Sequence, residues 1–421
     1  MTEHARLKLA RASRKWFSDT DLASSVDAYV RHLSERGYAP KTVQIYLESV
    51  AHFAHWSGRH CIGLPAIDEA AVKRFLIRHL PFCRCAQRCQ RTRPSAAAAL
   101  AHLLDLLRAE NRIAAKKSRD PATISDESHR FEHYLTQVCG LKPATCNDRL
   151  KHVRAFLLDR FAARSIRISV LKPADVIRFL SEYTKRWGAS SKHHAGDSLR
   201  SYFRFKALNG EHTVGLSEAI PTVAQWRLAR LPKGISVEQT TRLLKAFDRN
   251  CPTGKRDYAI TRCFIDLGLR TTEVAGLGLD DIDWRQGLVH IRGKGRRVDA
   301  LPLPEATGCA IVDYLRHGRP QTSSRALFLR HRPPLHMPAA TSGVVRAAVR
   351  CAARRCGVER CFNGPQVLRH TLAERLVQRA TPLKQIADLL RHRSLDTTTI
   401  YAKVDLPSLS RVALPWPGRR S

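Results

Sequence analysis

A short motif that occurs twice in the N-terminal half limits which folds this chain can adopt. The segment GYAPKT at residues 37–42 recurs as GLKPAT at residues 140–145, an offset of 103 residues. Proline followed by threonine is typical of a helix start, and apolar residues follow at helical spacing. Chance similarity of two short helical segments is the alternative, but the register holds over 17 positions. We therefore predict two copies of a helix pair joined at a Gly-x-x-Pro-x-Thr turn. The apolar residues that keep the offset are Leu47, Val50 and Phe53 in one copy and Leu150, Val153 and Phe156 in the other.

The sequence pattern changes after a Pro- and Gly-containing stretch near residues 216–235. Segments 288–292 and 298–303 read as strands on either side of a Gly-Lys-Gly turn. Apolar residues at helical spacing predict helices near 237–247, 258–267, 305–317, 340–356, 366–379 and 383–391. The predicted fold class is mainly α, with a small antiparallel β-sheet in the C-terminal domain.

The charge of the chain points to a polyanionic partner. It has 72 Lys and Arg residues against 37 Asp and Glu residues, a formal net charge of +35. DNA is the expected partner, because each neutralised phosphate releases counterions. A basic membrane-surface protein is the alternative, but no stretch reads as a long amphipathic anchor and no lipidation motif appears.

Cysteine content and hydropathy indicate the compartment. The 12 cysteines among 421 residues are too few for a disulfide scaffold and suggest thiols in a reducing environment. The first 16 residues are polar and basic, unlike a secretory signal, and no run of 18 apolar residues occurs. We expect a cytoplasmic, nucleoid-associated protein with no membrane partner.

A cysteine-rich segment lies between the two copies of the helix pair. It contains Cys83, Cys85 and Cys89, with His79, His60 and Cys61 nearby. Thiolates and a histidine can bind zinc, but the spacing is not that of paired Cys-x-x-Cys knuckles. We favour thiols in a loop over a metal site, and zinc binding remains the alternative.

Five residues of the C-terminal half can together hold and attack a phosphodiester. They are Arg270, Lys294, Arg369, His392 and Tyr401, in that order along the chain. Arginine donates two parallel hydrogen bonds to a phosphate and keeps its charge. A lysine between two glycines at a hairpin tip can project into a reacting site. Each residue taken alone would be unremarkable; the hypothesis rests on the set.

The order and local sequence of these residues resemble the tyrosine recombinase family of phage-integrase type, strongly over residues 232–405 and more weakly over 20–230. The resemblance implies a tyrosine-recombinase catalytic fold preceded by helical core-binding (SAM-like) domains. The expected division is an additional N-terminal helical DNA-binding unit with the cysteine-rich insert (1–122), a core-binding domain (123–220), a linker (221–235), the catalytic domain (236–406) and a tail (407–421).

The resemblance also implies a role for each residue of the site. Tyr401 would be the nucleophile, joining a DNA 3′-phosphate and freeing a 5′-hydroxyl. Arg270 and Arg369 would hold the phosphate, and His392 matches the Gly-His-x-Ser segment nine residues before the tyrosine. Lys294 would be the general acid on its β-hairpin. Further DNA contacts are expected from Lys41, Lys142, Arg292, Arg296 and Arg297. Neither ATP nor magnesium is expected for the chemistry, and no cofactor is expected.

Two positions depart from the family pattern. Gln366 stands where histidine is usual, and glutamine cannot act as a base near neutral pH. Arg391 stands where glycine is usual. His370 directly follows Arg369, so on a helix we expect it to point away by about 100° and not to replace the missing histidine. We expect Gln366 to reduce cleavage without abolishing it.

Three functions fit these observations. The favoured one is an integrase or transposase of a mobile element that binds inverted-repeat DNA sites as a homotetramer. The second is an accessory DNA-binding paralogue with weakened catalysis that assists related recombinases. The third is a type IB topoisomerase, which shares the chemistry but relaxes supercoils without site preference.

Overall fold

The computed structural model describes residues 15–17, 20–85, 92–115, 120–162, 164–224, 234–293, 298–335, 339–359, 362, 364–392, 394 and 397–402. The chain divides into two compact units, one of residues 114–229 and one of residues 1–113 with 230–421. The described residues are mostly helical, and their named strands form one three-stranded antiparallel sheet. The predicted fold class is therefore confirmed.

The first copy of the repeated motif lies in a bundle of four helices. Its second helix carries the apolar residues predicted from the motif, and Leu47, Val50 and Phe53 are at most 2% exposed. This helix packs against the first and the fourth. A π-helical segment, Phe75–His79, continues the third helix. The helices are α1 (Val26–Glu35), α2 (Pro40–Arg59), α3 (Glu69–Arg74) and α4 (Arg93–Ala109).

The second copy repeats this order of helices in the other unit. Gly37 and Gly140, which end the first helix region of each copy, have φ of 76° and 60°, a conformation that glycine adopts without strain. The long second helix packs against the long fourth helix, as in the first copy. The duplication thus covers four helices rather than two. The second set is α5 (Ala122–His133), α6 (Pro143–Phe161), α7 (Pro173–Tyr183) and α8 (Ala189–Leu208).

The C-terminal residues build a separate apolar core around a central helix, Pro252–Leu267, which packs against four others. Proline at its first position and glycine after its end are the usual helix boundaries. The helices here are α9 (Val237–Lys245), α10 (Pro252–Leu267), α11 (Thr271–Ala275), α12 (Glu305–His317), α13 (Ser342–Arg355), α14 (Gln366–Gln378), α15 (Leu383–Leu390) and α16 (Thr399–Ala402).

The sheet has the order β1-β2-β3, formed by β1 (Ile282–Asp283), β2 (Leu288–Arg292) and β3 (Val298–Pro302). Val289 lies opposite Leu301, and both side chains are buried, so this face of the hairpin packs on the core. Residues 294–297 of the hairpin turn lie outside the described residues. The predictions for Lys294, Arg296 and Arg297 therefore fall outside the described residues. The predictions for Cys89 and for the 407–421 tail do so as well.

Among the helices in the described part of the chain, none is both long enough and apolar enough to cross a bilayer.

Candidate active site

The site begins where α10 ends, at Gly268. This residue has φ of 57° and ψ of 32°, so the chain turns sharply after the helix. A Cβ at this position would lie 2.7 Å from Leu390 Cδ2 and 3.0 Å from Leu372 Cδ2. Glycine therefore meets both a backbone and a packing requirement, and it lets α10 approach α14 and α15 closely. The carbonyl of Gly268 points at Arg369.

Arg369 lies on α14 and is 1% exposed. Its guanidinium donates hydrogen bonds to the carbonyls of Gly268 and Leu390, and so joins the ends of α10 and α15. Burial, together with the nearby charges of Arg270 and Arg391, lowers the pKa of Arg369 to about 9. The group stays protonated at neutral pH.

Arg270 caps α11 and presents a half-exposed guanidinium. Its Nη1 donates to Glu273 Oε1 at 2.7 Å, and its backbone N–H donates to Glu273 Oε2 at 2.8 Å. Arg270 Nη2 also reaches the carbonyl of Arg391 at 3.3 Å. The carboxylate of Glu273 therefore fixes Arg270 beside the end of α15.

Arg391, at the position where the family pattern has glycine, adopts the left-handed conformation that glycine favours, with φ of 53° and ψ of 50°. Its side chain turns inward and donates to Glu273 Oε2 at 2.7 Å. Burial by itself raises the pKa of Glu273, but the charges of Arg391 and Arg270 outweigh it, so the pKa lies below its ordinary value. Glu273 is thus a carboxylate shared by two arginines.

Tyr401 lies on α16 and is 2% exposed. Its hydroxyl is 2.7 Å from Nδ1 of His370. Burial raises the pKa of Tyr401 to about 12, although the charge of Arg369 acts in the opposite direction. A phenolate at pH 7 would be unfavourable by on the order of 7 kcal/mol, so the resting group is a phenol. The ring belongs to a small apolar cluster with Ala373, Ile386 and Leu390.

His392 positions the segment that carries the tyrosine. Its Nδ1 lies 2.7 Å from Thr398 Oγ1, and its ring is nearly parallel to that of Tyr401, with centroids 6.5 Å apart. Burial lowers the pKa of His392 to about 4, helped by the charges of Arg369 and Arg270. The imidazole is therefore neutral at pH 7.

The expectation that His370 points away from the site is wrong. The angle of about 100° was counted from Arg369, the residue before it. Counted from Gln366, His370 is four residues along α14, a rotation of about 40°, so the two share one face of the helix. Gln366 is the exposed first residue of α14, while His370 reaches the tyrosine from the next turn. Burial, followed by the charge of Arg369, lowers the pKa of His370, so its ring is neutral at pH 7. In the tautomer that carries its hydrogen on Nε2, Nδ1 can accept the hydrogen of the Tyr401 hydroxyl.

The structure therefore brings together Arg270, Arg369, His392 and Tyr401, and adds His370, Glu273 and Arg391, which sequence reasoning did not assign. Among the predicted DNA contacts, Lys41 and Lys142 are exposed, each at the start of a long helix. Arg292 is 68% exposed and pairs with Asp281 at 2.8 Å. Chemically, the site combines cations that can hold an anion with a phenol whose proton has a neutral imidazole to accept it.

Comparison with known proteins gives a consistent result for sequence and fold. Residues 233–406 match the phage integrase family. The putative integrase/recombinase y4rA of Sinorhizobium fredii is 35% identical over 96% of this chain and 99% of that protein. Tyrosine recombinase XerD of Listeria monocytogenes is 27% identical over 67% of this chain and 95% of that protein.

A solved structure shares the fold at lower identity. The XerH site-specific recombinase, bound to a palindromic difH substrate in a post-cleavage complex, superposes with a TM-score of 0.54. It is 18% identical to this chain and covers 70% of it and 97% of its own length. At that identity the likeness shows a common fold.

Proposed function

Because this chain belongs to the phage integrase family of tyrosine recombinases, enzymes that cleave and rejoin DNA strands, we propose that it acts at specific DNA sites through a covalent 3′-phosphotyrosine at Tyr401. The observation that carries this proposal is the hydrogen bond of 2.7 Å between Tyr401 and His370, beside the buried charge of Arg369. A nucleophile, an acceptor for its proton and a phosphate-binding cation thus lie within one cluster.

The chemical step uses the residues as follows. Arg270 and Arg369 neutralise the non-bridging oxygens of the phosphodiester, which favours the transition state of phosphoryl transfer. The Tyr401 oxygen forms a bond to phosphorus as its proton passes to His370 Nδ1. The bond from phosphorus to the 5′-oxygen breaks, and Lys294 gives that oxygen its proton. The phosphotyrosine keeps the energy of the broken bond, so attack by a 5′-hydroxyl reverses the step without an external energy source.

Three features support DNA as the substrate and a mobile-element role. The net charge of +35 suits a polyanion. XerH, a site-specific recombinase that shares the fold, is bound to a palindromic difH substrate, and y4rA is described as a putative integrase/recombinase. We propose a homotetramer on paired inverted repeats, with Lys41, Lys142, Arg292, Arg296 and Arg297 on the DNA backbone. The proposed domains are the N-terminal unit (1–122), the core-binding domain (123–220), the linker (221–235), the catalytic domain (236–406) and the tail (407–421).

An accessory role for a catalytically weakened paralogue is the second candidate. It is favoured by Gln366 in place of histidine and by the burial of Tyr401, whose side chain must become accessible before it reaches a phosphate. In that case the chain would bind the same DNA and leave strand cleavage to a related recombinase.

Covalent capture separates the two candidates. The DNA ends that flank the encoding gene are made as duplexes with a nick near the expected cleavage position, so that the freed strand diffuses away. The wild-type chain should form a protein–DNA adduct that survives denaturation, and Tyr401→Phe should form none. Tyr258→Phe, a matched change away from the site, should leave the adduct intact. Sequence-specific binding without an adduct would instead establish the accessory role, and relaxation of supercoils without site preference would indicate a topoisomerase.

A further inference from the structure

Two histidines and two cysteines meet in the N-terminal bundle, far along the chain from the candidate active site. His52 lies on α2, His79 ends the π-helical segment after α3, and Cys83 and Cys85 follow in the next few residues. One potential ligand atom from each of the four lies within 4.8 Å of all the others. His52 is fully buried, and His79, Cys83 and Cys85 are half-buried.

Two of the distances between these atoms match those of a tetrahedral metal centre. With zinc bonds of about 2.0 Å to nitrogen and about 2.3 Å to sulfur, two nitrogens stand about 3.3 Å apart, and a nitrogen and a sulfur about 3.6 Å. His52 Nε2 and His79 Nε2 are 3.1 Å apart, and Cys85 Sγ lies 3.6 Å from His79 Nε2. Two of the six pairs of donor atoms are thus already at the distances that a shared zinc ion would impose, and the remaining pairs lie within 4.8 Å.

The donor set indicates which cation. Imidazole and thiolate together suit zinc, whereas magnesium and calcium require oxygen ligands. We propose that His52, His79, Cys83 and Cys85 bind one zinc ion. Four protein ligands complete a tetrahedron and leave no open position, so the role is structural rather than catalytic.

A zinc ion bound here would cross-link three segments of the N-terminal bundle. It ties the middle of α2 to the end of the α3 region and to the segment that leads towards α4. The ring of His52 is held by aromatic neighbours, stacked at 5.8 Å from Trp16 and edge-on at 5.1 Å to Phe75. A ligand whose ring is fixed by packing loses little freedom when it binds metal. The sequence alone did not point to His52, because it is 27 residues from His79.

The competing explanation is a metal-free cluster held by hydrogen bonds, because 3.1 Å and 3.6 Å are also within hydrogen-bond range for these atoms. The two explanations differ in composition and spectrum. The full-length chain, produced in zinc-supplemented medium without a metal-affinity tag, is analysed for metal by mass spectrometry. The zinc is then exchanged for Co²⁺ and the absorption spectrum is recorded.

The variant Cys83→Ser/Cys85→Ser removes half of the ligands. Its matched control is Cys309→Ser/Cys351→Ser, which changes two exposed cysteines of the C-terminal region. We expect about one zinc per chain in the wild type and the control, and at least about a tenfold lower content in the variant. The wild-type Co²⁺ form should show the absorption bands of a tetrahedral site with thiolate ligands, and chelation should lower the thermal stability of the wild type.

Zinc-free wild-type protein with no tetrahedral Co²⁺ spectrum would overturn the proposal, as would equal zinc content in variant and control. If the double serine variant does not fold, His79→Cys replaces one nitrogen ligand by sulfur. That variant should keep zinc and strengthen the thiolate-to-cobalt bands. Retained zinc with an unchanged spectrum would place the metal elsewhere and reject this site. None of these measurements depends on DNA cleavage, so the result stands apart from the proposed activity.

Discussion

Glu273 and Arg391 form an ion pair of 2.7 Å in which both side chains are 5% exposed. Because Glu273 also receives two hydrogen bonds from Arg270, the carboxylate fixes the cation proposed to hold the phosphate. The departure from glycine at position 391 thus adds a second partner to this carboxylate. At this position the backbone is left-handed, a conformation that a residue other than glycine adopts only with strain.

The first prediction separates the two effects of Arg391. Arg391→Gly removes the ion pair but relieves the backbone, whereas Arg391→Ala removes the ion pair and keeps the strain. Both variants should lower the free energy of unfolding, and the alanine variant should lose about 1 kcal/mol more than the glycine variant. Urea denaturation measures the difference. Equal stability of the two variants would mean that the left-handed backbone at 391 is not maintained in solution.

The second prediction concerns the face of α14 that Gln366 and His370 share. His370→Gln removes the acceptor for the Tyr401 proton, so covalent capture should slow by about 10²–10⁴-fold while DNA binding by gel shift is unchanged. Gln366→His should keep or raise the rate, because it adds an imidazole on the same face.

The matched tests for this prediction are Gln366→Ala and the exchange Gln366→His/His370→Gln. The alanine variant should change the rate of capture little, since His370 remains. The exchange variant should recover part of the rate lost in His370→Gln. An undiminished rate in His370→Gln would show that the tyrosine proton leaves by another route.

Much of the fold follows from local sequence signals. The helix predicted at 305–317 is observed as Glu305–His317, and the two hairpin strands predicted on either side of the Gly-Lys-Gly turn are observed as Leu288–Arg292 and Val298–Pro302. Proline, glycine and apolar spacing act over a few residues, so a sequence pattern captures them. The repeated motif was likewise sufficient to place the helix pairs, although not the two helices that follow each pair.

The contacts that complete the two sites are not local. His370 and Tyr401 are 31 residues apart, and their contact depends on how α16 packs against α14. The spacing of four residues from Gln366 was the available signal for His370. His52 lay in a regular helical pattern and gave none. The inward turn of Arg391 depends on Glu273, which is 118 residues away.

The third prediction is that protonation of His392 makes the stability of the folded chain depend on pH. Its pKa is about 4 in the folded chain, below the ordinary value of 6.5, so the unfolded chain takes up the proton first as the pH falls. The contribution of neutral His392 to the free energy of unfolding is fully present above pH 6.5 and is lost as the pH falls towards 4. The melting temperature of His392→Gln should therefore fall less than that of the wild type between pH 7 and 4.5. The exposed His212→Gln should follow the wild type, and an identical slope for His392→Gln would contradict the assignment.

The fourth prediction tests the close approach at Gly268. Gly268→Ala and Gly287→Ala both place a methyl group at a positive φ, 57° and 64°, so each should lose about 1 kcal/mol of stability through the backbone. Only at Gly268 does the new Cβ also collide, 2.7 Å from Leu390 Cδ2, whereas nothing lies within 4 Å at Gly287. Gly268→Ala should therefore lose about 1–3 kcal/mol more in urea denaturation. It should also slow covalent capture, because the Gly268 carbonyl holds Arg369. Equal losses of stability and full capture in both variants would show that α10 and α15 are not in contact here.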